Sequence, residues 1–199
     1  MDQQRAENLA RIYETLLNCY GPQEWWPAES AFEVVAGAIL TQSTAWENAK
    51  KAIDNLKKAG CISASAIFDI ETNKLVEVIR PSGYFNAKAK KLKSFADWLV
   101  NKYNGKMENL SGVNTEALRS ELLGIYGIGP ETADTILLYG LRRPVFVIDA
   151  YTSRIVTRLG LTSEATTQYH EYQRMFTENI ETDEHLYNEF HALIVKHAK

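Results

Sequence analysis

Three glycines and a proline in this chain stand where a backbone could hold an anion. In Leu122-Leu-Gly-Ile-Tyr-Gly-Ile-Gly-Pro-Glu-Thr-Ala-Asp134, glycine occupies positions 124, 127 and 129, and Pro130 follows. Proline suits the first position of a helix, where its missing N–H costs nothing. The stretch therefore reads as a helix ending near Leu123, a tight turn, and a second helix opening at Pro130. In such a helix–hairpin–helix, bare glycines let the backbone come close to a phosphate, and the amides at the start of the second helix point at it. Gly127, Ile128, Gly129, Glu131 and Thr132 would form this anchor, which positions a strand without reading its sequence. A plain αα-corner whose glycines serve only packing would look the same. Twenty residues after Gly129, Asp149 stands at the mouth of a helix, behind the apolar run Pro144–Ile148. Aspartate is among the best N-cap residues, so capping alone could account for it.

The elements that must position these residues are helical. Ile12, Leu16 and Leu17 share one helical face, and Ser30-Ala-Phe-Glu33 reads as a capping box opening an apolar helix over 32–40. Thr44-Ala-Trp-Glu47 reads as a second box, whose helix ends at Gly60. Short helices are predicted from Ser63 and Thr72, and a longer one over 86–103. Thr115 is expected to cap a helix through Leu123, Gly129-Pro130 to open one through Leu141, and Asp149 one through Leu159. Two more are predicted over 167–179 and 183–196. Pro144–Ile148 is the one extended piece, with no partner strand, so the expected fold class is all-α. No repeat or Pro/Gly/Ser linker is present, and the polar stretches 104–114 and 162–167 are the candidate hinges.

Apolar residues make up 45% and charged residues 24% of the 199, which excludes wholesale disorder or a fibrous design. No apolar run reaches the roughly 18 residues of a membrane span, and the polar N-terminus lacks a signal-peptide core, so the expected location is the cytoplasm. Cys19 and Cys61 are too few for a disulfide framework, and are expected to be reduced and buried. The four histidines show no metal spacing, and His191 and His197 read as core or surface positions of the last helix. The net charge of −3 argues against holding a polyanion by bulk electrostatics. Its distribution is uneven, however. Arg80, Lys88, Lys90, Lys91, Lys93, Lys102 and Lys106 stand against Asp97 alone, while residues 161–190 are mostly acidic. The first run could present a basic face to phosphates, with Lys88, Lys90 and Lys93 as contacts, or it could be an ordinary solvated helix face.

Taken together, Phe32-Glu-Val-Val-Ala-Gly-Ala-Ile-Leu-Thr-Gln42, Gly83-Tyr-Phe-Asn-Ala-Lys-Ala-Lys90, the hairpin and Val147-Ile-Asp149 resemble the helix–hairpin–helix–Gly/Pro–Asp superfamily of DNA base-excision glycosylases, to which endonuclease III belongs. The resemblance runs from about Trp25 to His197. It implies two helical lobes, one of residues 1–27 and 110–199 carrying Asp149, the other of 28–135 ending in the hairpin at 116–140, with a cleft that receives a nucleotide flipped from double-stranded DNA. It implies a monomer. It makes Asp149 the catalytic carboxylate, stabilising an oxocarbenium-like sugar or orienting water. Gln42 would fill the gap left by the flipped base.

The chain departs from that family in two places. Bifunctional members carry a lysine nucleophile one residue after the position of Pro130; Glu131 stands here and cannot form a Schiff base, so hydrolysis without strand cleavage is expected. The four-cysteine iron–sulfur loop is also absent from the chain as given; a cluster is expected only if the natural chain continues past Lys199. No other cofactor is expected, although the hairpin is a candidate seat for a monovalent cation. Trp25, Trp26 and Trp46 resemble the aromatic positions of the 3-methyladenine glycosylase branch, where aromatic faces attract a cationic alkylated purine; they could equally pack between lobes. Two alternatives remain: an endonuclease III-like enzyme for oxidised or mismatched bases, and a non-catalytic DNA-binding module.

Overall fold

The computed structural model describes residues 3–162 and 168–199. The chain forms helices α1 (Gln3–Tyr20), α2 (Ala31–Leu40), α3 (Trp46–Lys58), α4 (Ala64–Asp69), α5 (Thr72–Val78), α6 (Phe85–Tyr103), α7 (Thr115–Leu123), α8 (Pro130–Thr135, continuing as a wider turn over Ile136–Gly140), α9 (Ala150–Arg158), α10 (Tyr169–Thr177) and α11 (Glu184–Ala198). No strand occurs among the described residues, and the fold is all-α. Residues 1–27 with 142–199 form one compact unit, and residues 28–141 another. Residues 110–141, expected partly in the terminal lobe, thus belong to the second unit. The stretch 104–114 is no hinge between them: it lies within that unit, where Met107 and Leu110 are buried. Of the other expected hinge, 163–167 lies outside the described residues.

The central unit is built on α2. Every residue from Phe32 to Leu40 is buried, as expected of a helix that is apolar all round, and α2 packs against α3, α6, α8 and the turn after it. Its N-terminus is capped as the sequence suggests, with Ser30 Oγ accepting from Glu33 N at 3.2 Å, while the Glu33 carboxylate accepts from Glu29 N. The second expected box does not form: Ala45, not Thr44, is the N-cap of α3 and makes no side-chain bond. The other end of α3 closes as predicted. Gly60, at φ +66°, donates to Lys57 O and Cys61 donates to Leu56 O, the paired bonds of a glycine stop. Helix α7 begins one residue earlier than expected, because Asn114 rather than Thr115 accepts from the amides of Glu116 and Ala117.

Helices α7 and α8 are cross-braced by an ion pair. Arg119 donates to the fully buried Asp134 through Nε at 2.6 Å and through Nη2 at 3.0 Å. A two-point fork of this kind holds the two helices in one relative orientation.

In the terminal unit, α1 and α9 pack on α11. The extended run 144–148 pairs with no strand because it serves as core: Phe146, Val147 and Ile148 are buried. Phe146 stacks on Phe176 with ring centroids 3.9 Å apart, and meets Tyr187 and Phe190 edge-on. Side chains of α10 satisfy its backbone, since Gln173 Nε2 donates to Phe146 O at 2.7 Å and Ile148 N donates to Tyr169 Oη at 3.2 Å. Cys19 is exposed and Cys61 half-buried, so neither is the buried packing residue expected. No helix among the described residues is long and apolar enough to cross a membrane.

Arg119→Ala strips a fully buried carboxylate of its guanidinium, and is expected to cost about 3–5 kcal/mol in urea unfolding. Lys50→Ala, which removes an exposed pair with Asp54, should cost only about 0.5 kcal/mol. Equal losses would show that the brace between α7 and α8 is not desolvated.

Candidate active site

Asp149 is the N-cap of α9, and its two carboxylate oxygens have different surroundings. Oδ1 accepts from Thr152 N at 2.7 Å and from Thr152 Oγ1 at 2.8 Å. Oδ2 lies 3.8 Å from Nε2 of His191, a buried residue of α11. Burial holds the His191 pKa below its ordinary value although the Asp149 charge pulls it upward, so the ring is neutral near pH 7. Capping therefore engages Oδ1 and leaves Oδ2 facing His191. Sequence reasoning missed His191. It stands 42 residues from Asp149, and no spacing rule connects them.

The hairpin is held from below by α6. Gly127 has φ +82°, and a Cβ there would fall 2.3 Å from Lys91 Cγ, so the lysine stem lies directly on the glycine. Lys91 Nζ continues to Gln42 Oε1 at 2.5 Å, and Gln42 Nε2 donates to Thr132 Oγ1 at 2.9 Å and to Gly127 O at 3.2 Å. Gln42 is thus fastened to the hairpin in one orientation rather than exposed on a loop. Gly129 has an extended backbone open to any residue, but a Cβ there would meet no protein atom within 4 Å. Its glycine clears the outer surface instead of relieving strain. The anchor is smaller than expected. The amide of Ile128 donates to Ile125 O at 3.1 Å, and its side chain is buried. The first-turn amides of α8 have no partner within the helix, Pro130 has no N–H, and Gly129 brings no capping side chain. Glu131 is exposed beside them, while the Thr132 side chain is buried.

Much of the basic run is engaged by protein groups, some of them buried and some in surface ion pairs. Lys88, expected to contact phosphate, is only 2% exposed; its Nζ donates to Leu40 O at 2.8 Å and Ser82 O at 2.6 Å. Desolvation, with a smaller push from Lys91, lowers its pKa to about 8. Lys93, likewise expected on phosphate, donates to Phe68 O and Ile70 O at the end of α4. Lys102 pairs with Glu121, and Arg80 with Glu77. Lys90 remains outward, its Nζ 4.2 Å from the centroid of the exposed Tyr126 ring. The two border a groove of about 630 Å³ beside the hairpin turn.

Trp25 and Trp26, with ring centroids 5.2 Å apart, lie half-buried in the terminal unit, and Trp46 opens α3 in the central one. Tyr84, which sequence reasoning passed over, caps α6 at φ +45° with 72% of its surface exposed. It lies inside the block Gly83-Tyr-Phe-Asn-Ala-Lys-Ala-Lys90, where residue types alone do not show that its ring stands exposed. No group of three or more His, Cys, Asp or Glu among the described residues could hold a metal, so a cluster has no four-thiolate seat there. A monovalent cation would need the hairpin carbonyls. Those of Ile125 and Gly127 accept from Ile128 N and Gln42 Nε2 and each has a second lone pair, while that of Leu122 already faces the amides of Gly124 and Ile125.

A helix–hairpin–helix and an aspartate capping a later helix, on an all-α fold, point to one class of protein. Residues 36–182 match the HhH-GPD superfamily of base excision DNA repair proteins, and the chain belongs to that family. It is a DNA glycosylase of base-excision repair. A provisionally named DNA repair glycosylase of Methanocaldococcus jannaschii is 46% identical over all of this chain and 90% of its own length. Endonuclease III of Sulfolobus acidocaldarius is 28% identical over 85% of this chain and 73% of its own. The crystal structure of Helicobacter pylori 3-methyladenine DNA glycosylase bound to 1,N6-ethenoadenine superposes with a TM-score of 0.80 and 33% identity, over 96% of this chain and 95% of that one. A trapped endonuclease III–DNA intermediate shares the fold at a TM-score of 0.81 and 18% identity, over 96% and 84% of the two chains.

Lys88 ties its own burial to pH. Its folded pKa of about 8 lies below the unfolded 10.5, so between these values the folded chain binds fewer protons and unfolding free energy rises with pH. The rise in wild type over Lys88→Met is expected to reach at most about 3 kcal/mol by pH 10.5. Identical pH profiles in urea unfolding would show that Lys88 keeps its ordinary pKa.

Proposed function

We propose that the protein hydrolyses the N-glycosidic bond of alkylated purines in double-stranded DNA, leaving an abasic site and an uncut strand. Glu131 is the observation that carries this reading. It occupies the hairpin position next to Pro130, exposed, where a strand-cutting member of the family would carry an amine. Without that nucleophile the reaction goes by water: the bond from C1′ to the purine nitrogen breaks, its electron pair leaves with the base, and water adds to the cationic sugar. Asp149 Oδ2 supplies the negative charge that stabilises that cation. A purine alkylated at N3 or N7 is a good leaving group that needs little help from an acid, and its positive charge is attracted to aromatic faces, for which Trp25 and Trp26 of the terminal unit and Trp46 of the central one are the candidates. The Helicobacter relative's name and bound base support the same class. First-turn amides of α8 and Lys90 hold phosphates, and Tyr84 offers a bare ring for a base to stack on.

Single-turnover assays on duplexes carrying 3-methyladenine, 7-methylguanine, an oxidised pyrimidine or uracil, each read with and without alkali, test the reading. Breaks are expected only after alkali, chiefly on the alkylated duplexes, and Asp149→Asn should lower the rate by about 10²–10³ without loss of binding. Breaks without alkali, on the oxidised duplex, would replace it with an endonuclease III-like lyase.

The same duplexes allow a binding test of the lysines. Lys90→Ala should reduce the salt slope of binding by about one unit, while Lys88→Met leaves it unchanged. The reverse result would mean that Lys88 turns outward on DNA.

A further inference from the structure

The catalytic reading of Asp149 leaves open what aims its second oxygen. Oδ1 is taken by two bonds from Thr152, so interaction with a sugar cation or a water falls to Oδ2. The polar atom facing Oδ2 is His191 Nε2, at 3.8 Å, and both side chains are largely removed from solvent. That separation exceeds a direct hydrogen bond, and is spanned by a small inward movement or by one bridging water.

We propose that His191 is a positioning residue for the glycosylase reaction: with its ring proton on Nε2 it directs Asp149 Oδ2, directly or through one water. Three features of the geometry support this. The ring hangs from α11 on a stretch whose Tyr187, Phe190, Leu193 and Ile194 are also buried, so its location is set by the core rather than by solvent. An uncharged donor fixes the direction of a carboxylate without cancelling the charge that a sugar cation needs, whereas an imidazolium would cancel it, and burial opposes that form. Finally, α11 and α9 are packed against each other, so the donor and the capped carboxylate share one rigid support.

The inference rests on Asp149 being the reacting carboxylate, and the experiment separates the two. Nitrogen-15 NMR of the histidine ring in the intact protein should show His191 protonated on Nε2. Asp149→Asn, which retains a good N-cap, should lower the His191 pKa further by removing the attracting charge. A ring protonated on Nδ1 with Nε2 bare, or a pKa indifferent to Asp149→Asn, overturns the proposal. In single-turnover base release, His191→Leu should be slower by about 10²-fold with DNA affinity and melting temperature unchanged, and His191→Gln, which keeps an N–H donor, should recover most of the rate. A His191→Leu enzyme as fast as wild type also overturns it. If the wild type releases no base from any duplex, the proposed function has failed, and the NMR measurement alone decides for or against the contact.

Discussion

The seating of Phe146 in an aromatic core is the constraint on which the candidate site depends. Pro144–Ile148 has no hydrogen-bonded partner strand to hold it straight, and an extended strip with unsatisfied backbone would be costly to bury. Phe146, stacked on Phe176 and met by Tyr187 and Phe190, fixes the strip by packing, and Gln173 and Tyr169 bond to two of its backbone groups. Asp149 is the residue at which this pinned strip turns into α9. Its carboxylate is therefore placed by the packing of large, rigid side chains on the strip before it.

In the central unit, three lysines of α6 serve as internal structure. A lysine aimed at backbone carbonyls can join elements that share no helix bonds, and Lys88 does so for the end of α2 and the turn before α6. Lys93 closes the end of α4, where carbonyls left over from the helix need donors. Lys91 uses its stem against Gly127 and its ammonium on Gln42. The two loops flanking α2 and α6 are thus organised from beneath.

Much of this was legible in the residues. The apolar all-round α2, the glycine stop at Gly60, the hairpin and the Asp149 cap follow from local spacing, and local spacing decides them. The lysines were not legible, because burial depends on which elements fold over a side chain, and charge counting treats every lysine as solvated. Lys88 and Lys90 are two residues apart on one helix, one buried and the other outward. The proximity of His191 to Asp149 is likewise tertiary, arising where α9 and α11 pack. At Thr44 and Thr115 the motif was real in composition, but a neighbouring residue took the cap.

The bracing of the hairpin has a thermodynamic consequence. Arg119 and Asp134 lock its two helices, and Gln42, Lys91 and Thr132 fasten its turn. On the proposed reading of the hairpin as the phosphate contact, a surface already held in that shape loses little conformational entropy when it meets a phosphate backbone. Little of the contact energy then goes into ordering the protein. Weak, sequence-blind contacts can hold a strand long enough to sample a base and still release it quickly, which is what a search along mostly undamaged DNA requires.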